Sequence, residues 1–93
     1  MEILIKDQDA KGFAMARKDN QRAGIMTYTK PASDYLIIEH TIVEPEFEGQ
    51  GIAKKLLYKV VEMAREKNLK IEPECSFAVA MFKKLPEIQD VLK

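Results

Sequence analysis

Residues 41–55 read TIVEPEFEGQGIAKK and change character three times within fifteen positions. Thr41-Ile42-Val43 is a β-branched run, the residue type that fits a pleated strand. Glu44-Pro45 turns the chain. Gly49-Gln50-Gly51 then opens directly onto an amphipathic stretch. The predicted order is strand, turn, glycine loop, helix. The first turn of a helix has unpaired backbone N–H groups and a partial positive charge. Glycines just ahead of it let a ligand come close to the backbone, so the junction is a seat for an anion, most often a phosphate.

Two familiar phosphate loops do not fit. A dinucleotide fingerprint needs glycine where Lys54 stands, and a P-loop needs Lys-Ser/Thr where Ile52-Ala53 follow Gly51. The segment Glu48-Gly49-Gln50-Gly51-Ile52-Ala53 does follow the R/Q-x-x-G-x-G/A loop, with Glu48 in the place of Arg or Gln. On this loop the sequence resembles the GNAT acyltransferases, in their minimal single-domain branch. The resemblance implies that the loop holds the pyrophosphate of coenzyme A, largely through backbone N–H groups.

Size and composition narrow the alternatives. A chain of 93 residues suits one domain, 1–93, with one core. Hydrophobic residues make up 46% and charged residues 32%, the balance of a folded soluble protein. Fifteen basic and fifteen acidic residues cancel, which gives no electrostatic reason to expect nucleic acid or an anionic membrane as partner. No apolar run approaches the roughly 20 residues of a membrane span. MEILIKDQDAKG at the start does not read as a signal peptide. One cysteine and one histidine cannot alone build a metal site, and a single cysteine suits a reducing, cytoplasmic setting.

Around the central stretch the elements fall into place. Ile3 and Ile5 alternate with Glu2, Leu4 and Lys6 as a first strand, closed by the polar turn Asp7 to Gly12. Phe13 to Arg17 is a second strand, and a third runs from about Arg22 to Thr29. Tyr35 to Val43 is the strongest strand. It is apolar on both faces, which predicts a central position covered on both sides. The helix runs from about Gly51 to Lys67, with Ile52, Ala53, Leu56, Leu57, Val60, Met63 and Ala64 as its stripe and Asn68 as its stop. Leu69-Lys70-Ile71 returns as a strand parallel to its predecessor. Cys75 to Lys84 is a second helix, and Ile88 to Leu92 a last turn packed on the body. The expected fold is α/β (α+β), with a mixed, mostly antiparallel sheet in the order ββββαβα. That is the GNAT core. It lacks the helix pair that usually follows the first strand and the closing strand hairpin.

A second family pattern, N-x-x-A-x-x-L/F-Y-x-K-x-G-F, falls on Cys75 to Pro86. Ala78, Met81 and Lys84 agree in kind. Cys75 replaces the asparagine, Phe82 the tyrosine that often protonates the leaving thiolate, and Pro86 the glycine. A free thiol has a pKa near about 8.5, so unaided departure of the thiolate is not prohibitive.

The resemblance implies acetyl transfer from acetyl-coenzyme A to an amine, with no metal and a monomer or weak dimer. Pantetheine would pair with Thr41, Ile42 and Val43. Pyrophosphate would lie on Gly49, Gln50, Gly51, Ile52, Ala53 and Lys54, with Ser76, Phe82 and Lys83 bordering the coenzyme. His40 is the expected general base, since histidine titrates near working pH, and Glu39 is its rival. Cys75, at a helix start where thiolate is favoured, is either pocket lining or a nucleophile that carries the acetyl group. Binding of acyl-coenzyme A without catalysis, or a bare interaction domain, are the alternatives.

Overall fold

A computed structural model describes all residues, 1–93. Five strands form one sheet in sequence order: β1 (Glu2–Asp7), β2 (Lys11–Lys18), β3 (Gln21–Ala32), β4 (Tyr35–Val43) and β5 (Lys70–Pro73). The first four are joined antiparallel. Asp19 and Asn20 both take positive φ, 53° and 63°, as the tight hairpin turn between β2 and β3 requires. After β4 the chain makes a 3₁₀ turn at Pro45–Phe47, enters helix α1 (Ile52–Lys67), and returns as β5, parallel to β4. Helix α2 (Ser76–Lys84) and a 3₁₀ turn at Pro86–Val91 follow.

The α1 stripe packs on the side chains of one sheet face, and α2 and the last turn join the same layer. Twenty-two buried hydrophobic residues form this one core. Ala14, Met26, Tyr28, Leu36 and Ile38 come from the sheet, Leu56, Leu57, Val60 and Val61 from α1, and Phe82, Ile88 and Val91 from the tail. Asn68 ends α1 in the left-handed conformation, φ 56°, its N–H turned back to the carbonyls of Ala64 and Arg65. The tail is tied to α1 by Arg65, which forks onto Asp90 at 2.8 and 3.0 Å, and by Tyr58, which donates to Glu87 at 2.8 Å. Leu92 also bridges to Ile71, and Lys93 N–H donates to the Ile71 carbonyl at 2.9 Å. The end of the tail is therefore held beside β5 by a single parallel bridge.

Several expectations need correction. β3 continues past Thr29 to Ala32, because the ladder with β4 absorbs Pro31 in an irregular step. β1 reaches Asp7 and β2 begins at Lys11, so the predicted turn shrinks to Gln8–Ala10. α1 begins at Ile52 and α2 at Ser76, with Gly51 and Cys75 as their caps. The larger correction is to β4, which is not covered on both sides. Leu36 and Ile38 are buried on the helix side, whereas Ile37 is half-buried and Ile42 is 54% exposed on the far side. A bulge explains the misleading pattern. Thr27 pairs with His40 and Tyr28 with Ile38, leaving Glu39 without a partner. The extra residue switches the parity of the strand. Leu36 and Ile38 face the helices before it, and Thr41 and Val43 after it.

Candidate active site

The sheet opens where β4 and β5 part. β5 pairs only with Tyr35 to Ile38 of its longer neighbour, and it ends at Pro73. The Ile38 carbonyl closes the ladder by accepting from both Glu74 N–H at 2.9 Å and Cys75 N–H at 3.2 Å. Beyond it, from Glu39 to Val43, no strand lies beside β4 on this edge. An open strand edge is a template for another extended chain.

The open edge leads into the start of α1. Phe47, buried in the 3₁₀ turn, anchors the connection. Gly49 and Gly51 then take φ of 82° and 73°, a region that side chains disfavour, and a Cβ at either position would have nothing within 4 Å. The first helical bond is Lys55 N–H to the Gly51 carbonyl at 3.1 Å. No side chain caps this end, and its first turn holds no acidic residue. The N–H groups of Ile52, Ala53 and Lys54 therefore point out of the helix. They face a recess of about 240 Å³ whose walls include Val43, Gly49, Ala53, Lys54 and Phe77.

The residues expected to hold the coenzyme divide accordingly. Val43, Gly49, Gly51, Ile52, Ala53 and Lys54 border the recess. Ile52 as a whole is 2% exposed, with its side chain packed against Gly24 in the core. The Gln50 side chain is turned away and accepts from Lys18 Nζ at 2.9 Å. Thr41 and Ile42 lie on the open edge, and Ser76 is exposed at the start of α2. Phe82 must be withdrawn as a coenzyme contact, because at 2% exposure it is wholly a core side chain. Lys83 is exposed in the last turn of α2, six residues and about 9 Å of helix beyond Phe77, away from the recess. Glu48, in the position usual for Arg or Gln, is exposed at the rim.

The candidate catalytic residues stand on opposite sides of the gap. Cys75 caps α2, its Sγ accepting from Ala78 N–H at 3.4 Å and lying 3.3 Å from Thr41 Oγ1. Thr41 pairs with Met26 and so faces the helices, which places the thiol on that side. His40 pairs with Thr27 on the far face and is exposed there. Glu39, half-buried in the bulge, borders a groove on the same far face. The structure thus joins His40 to Glu39 and separates both from Cys75.

Sequence reasoning missed the bulge, Phe77, and Lys6 and Lys11 beside the groove. The bulge left no readable signal, since the sequence keeps apolar residues at the even positions Leu36, Ile38 and Ile42, and only the ladder shows Thr41 and Val43 turned inward. Phe77 and the two lysines had none either, as only the ladder and the packing bring them to these places.

Residues 12–91 match the family described as GCN5-related N-acetyl-transferase. A GCN5-like protein from Staphylococcus aureus, assigned as an N-acetyltransferase, is 41% identical, with a TM-score of 0.72 over 97% of this chain and 87% of that one. A streptothricin acetyltransferase assigned in Bacillus anthracis, solved with acetyl-coenzyme A, shares the fold at 23% identity and a TM-score of 0.67, over 84% of this chain and 47% of that one. A GNAT family acetyltransferase from Elizabethkingia anophelis, with acetyl-coenzyme A bound, is 20% identical with a TM-score of 0.67, over 81% of this chain and 52% of that one. No curated protein matches. The chain belongs to the GCN5-related N-acetyltransferases, a family of enzymes. It spans about half the length of the latter two relatives.

Proposed function

We propose that the protein transfers an acetyl group from acetyl-coenzyme A to an amine by direct attack. The observation that carries this reading is the open edge of β4, continuous with the glycine-flanked, uncapped start of α1. Backbone groups from Thr41 to Val43 suit an extended pantetheine arm, and the N–H groups of Ile52 to Lys54 suit its pyrophosphate. Lys54 adds a mobile positive charge at the same recess. The thioester then reaches the gap at the level of His40 and Cys75.

The chemistry is brief. An amine is protonated at neutral pH and cannot attack until it loses a proton, which His40 accepts on the open face, with Glu39 beside it. The amine nitrogen bonds to the acetyl carbon, the carbon–sulfur bond breaks, the thiolate leaves with the electron pair, and the nitrogen's second proton passes to solvent. A thiolate needs little help to leave, so Phe82 in place of an acid does not forbid the step. The contact between Cys75 and Thr41 supports a second reading, in which Cys75 takes the acetyl group first and passes it on.

Binding is the first test. A ligand at a hundred times its dissociation constant stabilises a fold by about 2.7 kcal/mol, several degrees of melting temperature in a domain of this size. Millimolar acetyl-coenzyme A is expected to raise the melting temperature by that amount. An unmoved melting curve, with no heat in calorimetry, would refute the reading.

A further inference from the structure

The sheet face turned away from the helices holds a groove of about 330 Å³, bordered among others by Lys6, Lys11, Phe13, Thr27, Thr29 and Glu39. The ladder orders it. Lys6 lies opposite Phe13, Phe13 opposite Thr27, and Thr27 opposite His40, one row across four strands. At about 4.8 Å per strand the row is about 14 Å long. In the next row Lys11 lies opposite Thr29. Two cations therefore stand at one end, Glu39 and His40 at the other, with the Phe13 ring and two threonine hydroxyls between.

These charges are unanswered within the protein. Lys6, Lys11 and Glu39 enter none of its ion pairs and none of its side-chain hydrogen bonds. Asp7, next to Lys6 but on the helix face, is held by Tyr28, Lys30 and Lys67. Glu39 is half-buried in the bulge with its carboxylate open to solvent and free to meet a cation.

Building on the acetyl-transfer reading, we propose that this groove is the acceptor site and that it selects amines carrying an anionic group. The ammonium meets Glu39 beside His40 at the thioester gap. A flat or apolar body lies over Phe13. A carboxylate or phosphate reaches Lys6 and Lys11, which repel the far end of a polycation. The acceptor class is thus a small amino acid-like or amino sugar phosphate-like molecule.

Matched pairs test the selection: 4-(aminomethyl)benzoate against its carboxamide, and glucosamine 6-phosphate against glucosamine, with spermidine as the polycation. Partly exposed ion pairs are worth up to about fivefold each, so with two lysines the anionic member should show a kcat/KM from about twofold to about 25-fold above its neutral partner. The Lys6→Gln/Lys11→Gln double variant should erase that difference while the Kd for acetyl-coenzyme A stays as in the wild type. Glu39→Gln should raise KM for both members. The carboxylate and phosphate pairs show separately which anion the groove reads. Equal rates within both pairs, faster transfer to spermidine, or a preference that survives the double variant would each overturn the proposal. So would a change in sedimentation of the double variant, which would make this face a contact between copies. Backbone amide shifts of Lys6, Lys11, Phe13 and Thr27 on adding 4-(aminomethyl)benzoate alone read the groove without acetyl-coenzyme A. Failure of the coenzyme to bind is thereby kept distinct from failure of the acceptor site.

Discussion

Asp7 shows how a single side chain is held ionised. Burial pushes its carboxyl pKa up, but hydrogen bonds from Lys67, Tyr28 and Lys30 outweigh that and bring it to about 2. Burial, with the same contact to Asp7 adding to it, raises the Tyr28 hydroxyl above its ordinary value. Because the folded pKa lies below the unfolded one, the stability from Asp7 is fully present above about pH 4. It is lost as pH falls towards 2. The shift corresponds to about 2 kcal/mol. Urea unfolding should show the wild type losing about 1.5 kcal/mol of this between pH 5 and pH 2.5, with a flatter profile in Asp7→Asn, which starts less stable. Gly12 belongs to the same construction. Tyr28 lies over it to reach Asp7, and a Cβ there would come within 2.6 Å of both Tyr28 Cζ and the Lys6 carbonyl. The carbonyl is fixed in the ladder, so Gly12→Ala should destabilise by about 1–3 kcal/mol in the same urea assay. Neither role was legible in the sequence. Asp7 and Gly12 read as turn residues, and only the pairing of β1 with β2 brings them opposite one another.

Elements follow sequence most closely where one pattern dominates. The α1 stripe and its Asn68 stop were legible to within a residue, because helical spacing and a left-handed cap are local signals. β4 was less legible. Its two apolar faces imply a covered strand, yet they arise from a parity switch at Glu39 and from a far sheet face that no helix covers. The loop into α1 carried the clearest functional signal, and the structure adds that Gly51 takes positive φ and has open space where a side chain would stand. That allows a clean experiment. Gly51→Val should cost about 1–2 kcal/mol in urea unfolding and also weaken acetyl-coenzyme A in calorimetry. Asparagine tolerates the left-handed region, so Gly51→Asn should keep most of the stability while its side chain still obstructs the recess. Wild-type affinity in a well-folded Gly51→Asn protein would place the pyrophosphate elsewhere.

For the whole molecule, the decisive relation is which side of the sheet each reactive group occupies. His40 and Glu39 stand on the open face with the groove, and Cys75 on the helix face beside Thr41. An acceptor entering from the open face meets the base directly, whereas a cysteine relay would have to take the acetyl group through the gap and return it. Direct transfer is therefore the expected route. Removing a general base typically lowers turnover by about a hundred- to ten-thousand-fold. His40→Ala should fall in that range, with the loss shrinking as pH rises and free amine becomes abundant. Cys75→Ala removes the cap to Ala78 and the contact to Thr41. It should cost about 1 kcal/mol of stability yet retain measurable transfer. The two routes separate most sharply when the protein is mixed with acetyl-coenzyme A and no amine, then read by mass spectrometry. Direct transfer leaves the protein mass unchanged. An added acetyl group on Cys75, formed and discharged at the turnover rate, would make Cys75 the nucleophile and require the acceptor to be reached from the helix side. Full activity in His40→Ala would instead assign the proton to Glu39, beside it in the bulge, or to water.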